Sequence, residues 1–306
     1  MIEVKGKWQE YLIKFHSGEI KEGLGLDCFL DEHIRYKPKQ VTIIVGHDNV
    51  GKSFWINWYM LTLALKYDLK IAIWSGENQY GQILRDMIQM YAGIRFKQIP
   101  SDKLLLLSSK IEQYFYFVDN EKMYKPIELF DLFKETDADI CIIDPYTGLD
   151  REMGYEGNYR FMNDCRQFVN TTGKSLYINT HPTSDSGRSG SIYPKGHRFE
   201  GHLKSPTKND IEGGKAFINR ADDVFCIHRM IKEPTMKYVT EIHVEKIKNT
   251  DTGGMHTPLE EPVFCEFNYG IGFVVNGVDP LKTLRATKIF ETTEFDVILK
   301  DEELPF

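Results

Sequence analysis

The chain has 306 residues, 42% hydrophobic and 27% charged, with a formal net charge of −7. That length and apolar content suit one large domain with a sizeable core, and the acidic balance does not mark the whole chain as a nucleic-acid binder. No apolar run reaches the roughly 18 residues of a membrane-spanning helix, and the opening MIEVKGKWQEYLIKF lacks the apolar stretch of a secretion signal.

Residues 1–38 read as a lead-in. Trp8, Tyr11, Leu12 and Phe15 recur at helical spacing and predict a short helix over 5–16 with one apolar face. That face either packs on its own domain or docks on a neighbouring subunit. A Gly-containing stretch, 18–25, separates it from the main domain, 39–283. There apolar strands at 41–45, 70–75, 114–118, 139–144, 174–180 and 223–228 alternate with helices near 52–67, 79–93, 124–136 and 157–172. This alternation predicts an α/β fold, a mostly parallel central sheet with helices on both faces. After 236 the pattern changes. MKYVTEIHVEKIKN, a TDTGG turn, PVFCEFN and GFVVNG read as antiparallel strands at one sheet edge. Cys28, Cys141, Cys165, Cys226 and Cys265 stand far apart with no C-x-x-C pair. Their spacing argues against a zinc site or a disulfide framework and for a reducing cytoplasm. The last segment, 284–306, is an acidic tail: over 291–306, Glu291, Glu294, Asp296, Asp301, Glu302 and Glu303 face only Lys300. The remainder is therefore near neutrality and can carry a local basic surface.

Residues 46–53, GHDNVGKS, fit the phosphate-loop pattern G-x-x-x-x-G-K-[ST]. They follow the β-branched run VTIIV and open the helical stretch SFWINWYMLTLAL, which is the strand–loop–helix setting the pattern requires. Gly46, His47, Asp48, Asn49, Val50, Gly51, Lys52 and Ser53 are the expected ATP-binding set. Backbone N–H groups would surround the phosphate oxygens at a helix N-terminus. Lys52 would reach the β- and γ-phosphates, and the Ser53 hydroxyl would hold Mg²⁺. Asp144 closes the apolar run ICIID, so it sits at the ligand edge of a parallel sheet and can hold the metal through water. Glu77 follows the second strand and could deprotonate the attacking water; on that fact alone a solvated loop residue is the favoured reading. Asn179, Thr180 and His181 end another strand and could sense the γ-phosphate. Alone, His181 reads better as a structural histidine.

The order of these strand ends resembles the RecA-like ATPase core. IWSGENQYGQILRDMIQMYAGI resembles the segment of DnaB-type replicative helicases in which a strand-end Glu leads into a helix with Gln and Arg; Gln82 and Arg85 match. LYINTHP resembles the sensor strand of Twinkle and the phage primase-helicases. GGKAFINRADDVFCIHR and TEIHVEKIKNTDTGG resemble their next motif and their basic hairpin. The resemblance covers roughly 18–275. It implies a RecA-like P-loop fold, ATP and Mg²⁺ as cofactors, and a hexameric ring with ATP bound between subunits. It also implies 5′→3′ travel on single-stranded DNA. Lys246 and Lys248, by position, would reach the neighbour's γ-phosphate. DnaB-like proteins usually carry Arg at the second of these sites, and Lys lacks its bidentate fork. RecA recombinases use paired lysines at about this place, so a filament-forming strand-exchange or annealing protein stays open beside the helicase. A KaiC-like regulatory ATPase without DNA is a weaker third reading. The lead-in is too short for a primase or a DnaB-like N-terminal domain.

Between His181 and the next motif, residues 183–208 are rich in Gly, Ser and Pro. Long loops without structure are usually functional or disordered. Arg188, Lys195, Arg198, Lys204 and Lys208, interleaved with Tyr193 and Phe199, suit a single strand. The resemblance places this loop in the central channel of the ring. The chain ends DEELPF, an acidic, Phe-terminated tip that resembles that of bacterial single-stranded-DNA-binding proteins. It implies a replication-protein partner with a basic pocket, or it is a solubilising end.

Overall fold

The computed structural model describes residues 8–20, 22–183 and 191–288. The elements run α1 (Gln9–His16), β1 (Val41–Val45), α2 (Lys52–Tyr67), β2 (Ile71–Ser75), α3 (Tyr80–Ala92), α4 (Leu104–Glu112), β3 (Phe115–Phe117), α5 (Pro126–Glu135) and β4 (Ile140–Asp144). They continue α6 (Tyr155–Thr172), β5 (Ser175–Thr180), α7 (Lys215–Arg220), β6 (Asp223–His228), β7 (Val239–Lys246), α8 (Thr250–Gly253), β8 (Val263–Phe267), β9 (Phe273–Val275) and α9 (Pro280–Lys288).

The strands form one nine-stranded sheet in the order β3-β2-β4-β5-β1-β6-β7-β8-β9. The pairs from β3 through β6 are parallel, and β7, β8 and β9 add antiparallel at one edge. β1, β2, β4, β5 and β6 are buried at every position, as strands covered on both faces must be. This is the mixed α/β architecture that the alternation predicts, including its antiparallel edge.

Two apolar cores lie on the two faces. One gathers α2, α3, α4 and α9 with Ile44, Ile71 and Phe225; the other gathers α5, α6 and α7 with Val41, Ile143 and Leu176. Trp55, Trp58 and Tyr59 of α2 are completely buried, and Trp55 stacks on Tyr59 one turn later at 5.3 Å. Each such ring removed from water stabilises the domain by roughly 1.5–3 kcal/mol. α2 is thus rigidly seated, and its N-terminus presents the phosphate loop at a fixed height above the sheet.

Three parts differ from the sequence expectation. α4 was not expected; its run LLLLSSKIE carries no clean helical stripe, and Leu105 is 82% exposed while Leu107 and Ile111 are buried. The TDTGG turn is a single helical turn, α8. α9 runs across position 284, where the tail was expected to begin. Leu281 is buried, and the Arg285 guanidinium donates to the carbonyls of Met90 and Ile271.

The lead-in splits in two. Leu26, Leu30, Ile34 and Tyr36 join the core, and the Gly25 carbonyl accepts from Lys66 and Tyr67. α1, by contrast, buries no residue; Tyr11, Leu12, Ile13 and Phe15 are 45–67% exposed. Packing of that face on its own domain is therefore not what the chain does. Among the described residues no helix is long and apolar enough to cross a membrane.

Candidate functional site

A cleft of about 860 Å³ opens at the C-terminal edge of the parallel strands. It is lined by the loop after β1, by Glu77 and Asn78 after β2, by His181 after β5, and by Glu212. Ligands of open α/β sheets bind at this edge. The two loop glycines have different causes. A Cβ at Gly46 would stand 2.5 Å from the carbonyl oxygen of Ile227, whereas Gly51 has open space but φ of 92°, a left-handed conformation that glycine adopts without strain.

Lys52 opens α2 and is 8% exposed. Its ammonium donates to the carbonyls of Gly46 and His47 at 2.7 and 2.9 Å. Burial pulls its pKa down, against Asp144, Asp48 and Glu77. Phosphate oxygens can take the place of both carbonyls, so this lysine fits an anion in the loop.

Asp144 ends β4 at 5% exposure. Burial pushes its carboxyl pKa up; hydrogen bonds from Ser53 and Asn179 oppose the rise. The Asn179 amide donates to its Oδ1 at 2.7 Å. Ser53 and Asp144, expected as metal ligands, are thus brought together. Among the described residues no three His, Cys, Asp or Glu side chains cluster as a metal site. A hydroxyl beside one carboxylate still fits magnesium, which takes its remaining ligands from phosphates and water.

Glu77 and His181 meet above this floor. His181 Nε2 lies 3.3 Å from Glu77 Oε1, and its Nδ1 lies 3.0 Å from Asp48 Oδ1. The Glu77 side chain is 54% exposed, in reach of a water in the cleft. Asn78 was not singled out from the sequence. Its amide points at Ser53 Oγ at 3.5 Å, and Asn120 holds the loop by donating to Ser75 and Asn78 carbonyls. Arg229, after β6, was also missed; it donates to the Asn49 carbonyl at 2.8 Å and braces the phosphate loop. Position just past a strand end was the available signal for both.

Lys246 and Lys248 are not in the cleft. Lys246 faces Val224 across the β6–β7 ladder, at the end of the sheet where β6 begins. Its ammonium is taken by the carbonyls of Ile218 and Ala221 at 2.7 and 2.8 Å. The Lys248 side chain is 57% exposed and pairs with Asp222 at 2.9 Å.

Within the 183–208 loop, the described residues 191–208 are more ordered than the loop's composition predicts. This part folds back on itself through an Ile192–Leu203 bridge. Tyr193 stacks on His197 at 4.3 Å, and both rings with Phe199 line a smaller cavity against Glu241, His243 and Phe264 at the antiparallel edge. Ring burial explains the order, and it leaves Tyr193 and Phe199 half-buried against their own sheet. Lys195 and Arg198 are exposed; Lys204 sits 5.8 Å over the Tyr193 ring; Lys208 is half-buried and donates to the Glu245 carbonyl. Arg188 and the tail beyond 288, with its DEELPF end, lie outside the described residues. At its base the loop is tied to the cleft. Pro182 bridges to Ile211, and the Glu212 N–H donates to the His181 carbonyl at 3.1 Å.

No family model matches the sequence, and no curated protein matches it. Solved structures do match. The ATPase domain of G40-P superposes with a TM-score of 0.68 at 14% identity, over 89% of this chain and 99% of that domain. A DnaB-like replicative helicase, solved for its interactions with primase, gives a TM-score of 0.63 at 13% identity, over 90% of this chain and 67% of that one. At such identities the likeness is one of fold. The chain shares the fold of these ATPase domains, a mixed α/β fold with a largely parallel central sheet and antiparallel edge strands.

Proposed function

We propose that this chain is an ATP-driven DNA helicase that travels 5′→3′ on single-stranded DNA as a hexameric ring of its own copies. One observation carries the reading: Lys52, Ser53, Glu77 and His181 line one cleft with Asp144 bonded to Ser53, while Lys248 lies exposed at the opposite end of the sheet, out of reach of its own cleft. The loop amides of 46–53 and Lys52 bind the triphosphate. The Ser53 hydroxyl and Asp144 would hold Mg²⁺, which when bound would neutralise charge on the triphosphate. Glu77 accepts a proton from the water that attacks the γ-phosphorus, as the bond to the β-γ bridging oxygen breaks. His181, set between Asp48 and Glu77, loses a neighbour's charge when the γ-phosphate leaves. Its carbonyl and Pro182 pass that change to the loop that presents Lys195, Arg198 and Lys204, with Arg188 and Lys208, to DNA. Lys248, with Lys246 behind it, completes the site of the next subunit, and the exposed apolar face of α1 docks on that subunit. The acidic tail binds a replication-protein partner, in the reducing cytoplasm that five free thiols suit.

The second reading is a filament-forming strand-exchange or annealing protein. The paired lysines favour it, but the Lys246 ammonium is held by its own chain's carbonyls, which leaves one exposed lysine and not two.

Strand displacement on forked duplexes, each with one usable single-stranded arm, tests the proposal. Unwinding that needs the 5′ arm, ATP and Lys52 is expected. ATP hydrolysis on single-stranded DNA with no unwinding of any fork would overturn it in favour of the filament.

A further inference from the structure

Lys248 is held by residues far from it in the chain. Lys37, in the lead-in, is 1% exposed, and lysine is almost never so buried unless paired. Its ammonium lies 3.0 and 2.9 Å from the two carboxylate oxygens of Asp223 and donates to the Lys248 carbonyl at 2.5 Å. Asp223 Oδ1 in turn accepts from the Lys248 N–H at 3.0 Å. One buried ion pair therefore clamps both backbone polar groups of Lys248.

The side chain has its own anchor. Asp222, completely buried, pairs with the Lys248 ammonium at 2.9 Å and is fixed by Arg166 at 2.5 Å and by the Val41 N–H at 2.8 Å. The turn beyond Lys248 is shaped to the clamp. A Cβ at Gly253 would stand 2.3 Å from Lys37 Nζ. The lead-in grips the same turn: the Arg35 N–H donates to Gly253 at 3.1 Å, and the Met255 N–H to Glu32 at 3.0 Å. Exposed ion pairs contribute little to stability, and a buried pair is weak evidence for it. A solvent-facing lysine with both backbone groups and its ammonium fixed calls for another account.

We propose that Lys37 and Asp223 are positioning residues for Lys248, a buried ion pair that fixes the backbone from which this lysine reaches the γ-phosphate bound by a neighbouring copy. The inference rests on the shared site proposed above and adds the residues that aim its donor. Lysine is a flexible point charge, so its Cα must be held if its reach is to be reproducible. Asp222 keeps the ammonium parked in the separate subunit and yields it to the more highly charged phosphate on assembly. The lead-in then forms part of the active assembly, because its Lys37 closes the clamp.

The test is a rescue experiment in trans. The double variant Lys37→Met/Asp223→Leu replaces the ion pair with apolar groups of similar volume, a change that folds commonly tolerate. DNA-stimulated ATP turnover is expected to fall about tenfold or more, since small misplacements at a reacting centre have effects of this order. Binding of a fluorescent ATP analogue to the separate subunit stays unchanged. Lys52→Ala subunits are inactive alone but keep an intact Lys248. In an equal mixture with the double variant, about a quarter of sites join a working loop to an intact donor, so turnover returns to about a quarter of the wild-type value. A local folding defect would not be rescued in this way. Wild-type turnover of the double variant overturns the clamp, as does a folded, nucleotide-binding double variant that Lys52→Ala fails to rescue. Lys248→Ala mixed with Lys52→Ala runs beside it: rescue there alone sinks only the clamp, and rescue in neither sinks the shared site. Gly253→Ala is the milder probe should the double variant not fold. Its Cβ displaces the Lys37 ammonium while keeping both charged side chains, and about a threefold loss with the same rescue is expected; an unaltered rate overturns the clamp.

Discussion

The two ends of the parallel strands treat polar groups in opposite ways. Where the strands finish, side chains are held loosely. Lys52 rests on its own loop's carbonyls, and the buried Asn179 Oδ1 and Arg229 Nε lack hydrogen-bond partners among the described residues. Where the strands begin, Lys37, Asp223, Asp222, Arg166 and Lys248 are tied to one another. Buried polar groups are normally satisfied. Concentrated exceptions mark a place that waits for a ligand, and a closed network marks a place that holds geometry. Substitutions should accordingly lower binding and chemistry at one end and alignment at the other.

The largest effect is expected at the open end. Lys52→Ala removes a buried ammonium whose own pKa burial depresses. Nucleotide binding by calorimetry should be lost while thermal stability stays level or rises. A variant that keeps affinity would place the triphosphate elsewhere. Glu77→Gln comes next. Its side chain is half exposed and packs little, so binding should persist while turnover falls about 10²–10⁴-fold, the range of a lost general base. Normal turnover would remove Glu77 from that role and leave the His181–Glu77 contact structural.

A third prediction is about pH. His228 ends β6, is 2% exposed, and burial lowers its pKa to about 4. The unfolded chain takes up this proton near pH 6.5 and the folded one only near 4, so the unfolded state binds more protons in between. Stability is complete above the unfolded value and falls as pH drops toward 4, by something on the order of 3 kcal/mol. His228→Leu should flatten that limb of the urea-midpoint profile. An unchanged slope would mean that the ring is protonated in the fold and finds a partner there.

The open end was legible in the sequence because each of its residues follows a strand that announces itself. β1, β2, β4 and β5 are continuous apolar runs; the phosphate-loop pattern starts directly after β1, Asp144 closes β4, and Glu77 and His181 follow β2 and β5 within two residues. The closed end was not legible. Lys37 and Asp223 stand 186 positions apart, and nothing local distinguishes a lysine destined for burial from one in solvent. The lead-in therefore read as a linker, although from Leu24 to Lys37 it belongs to the body. α9 could have been found. Asp279 before Pro280 is a helix-start signal, and its Oδ1 accepts from the N–H of Leu281. The order in 191–204 had no such mark, since no apolar periodicity runs through it and the stacked rings supply the structure.

The smallest expected effect concerns that loop, which belongs to neither end. Its base is tied to His181, and the rings among its cations are engaged with the sheet edge. With Tyr193 and Phe199 half-buried, DNA affinity here should come from charge and not from stacking. Lys195→Ala and Arg198→Ala should each weaken single-stranded DNA binding about equally for all sequences. Each should also reduce the slope of log affinity against log salt by about 0.7, the share of one phosphate contact on a single strand. Phe199→Leu should leave that slope alone. A large loss for Phe199→Leu with an unchanged salt slope for Lys195→Ala would mean that the ring leaves the sheet edge to stack on a base, and that the loop is remodelled when DNA arrives.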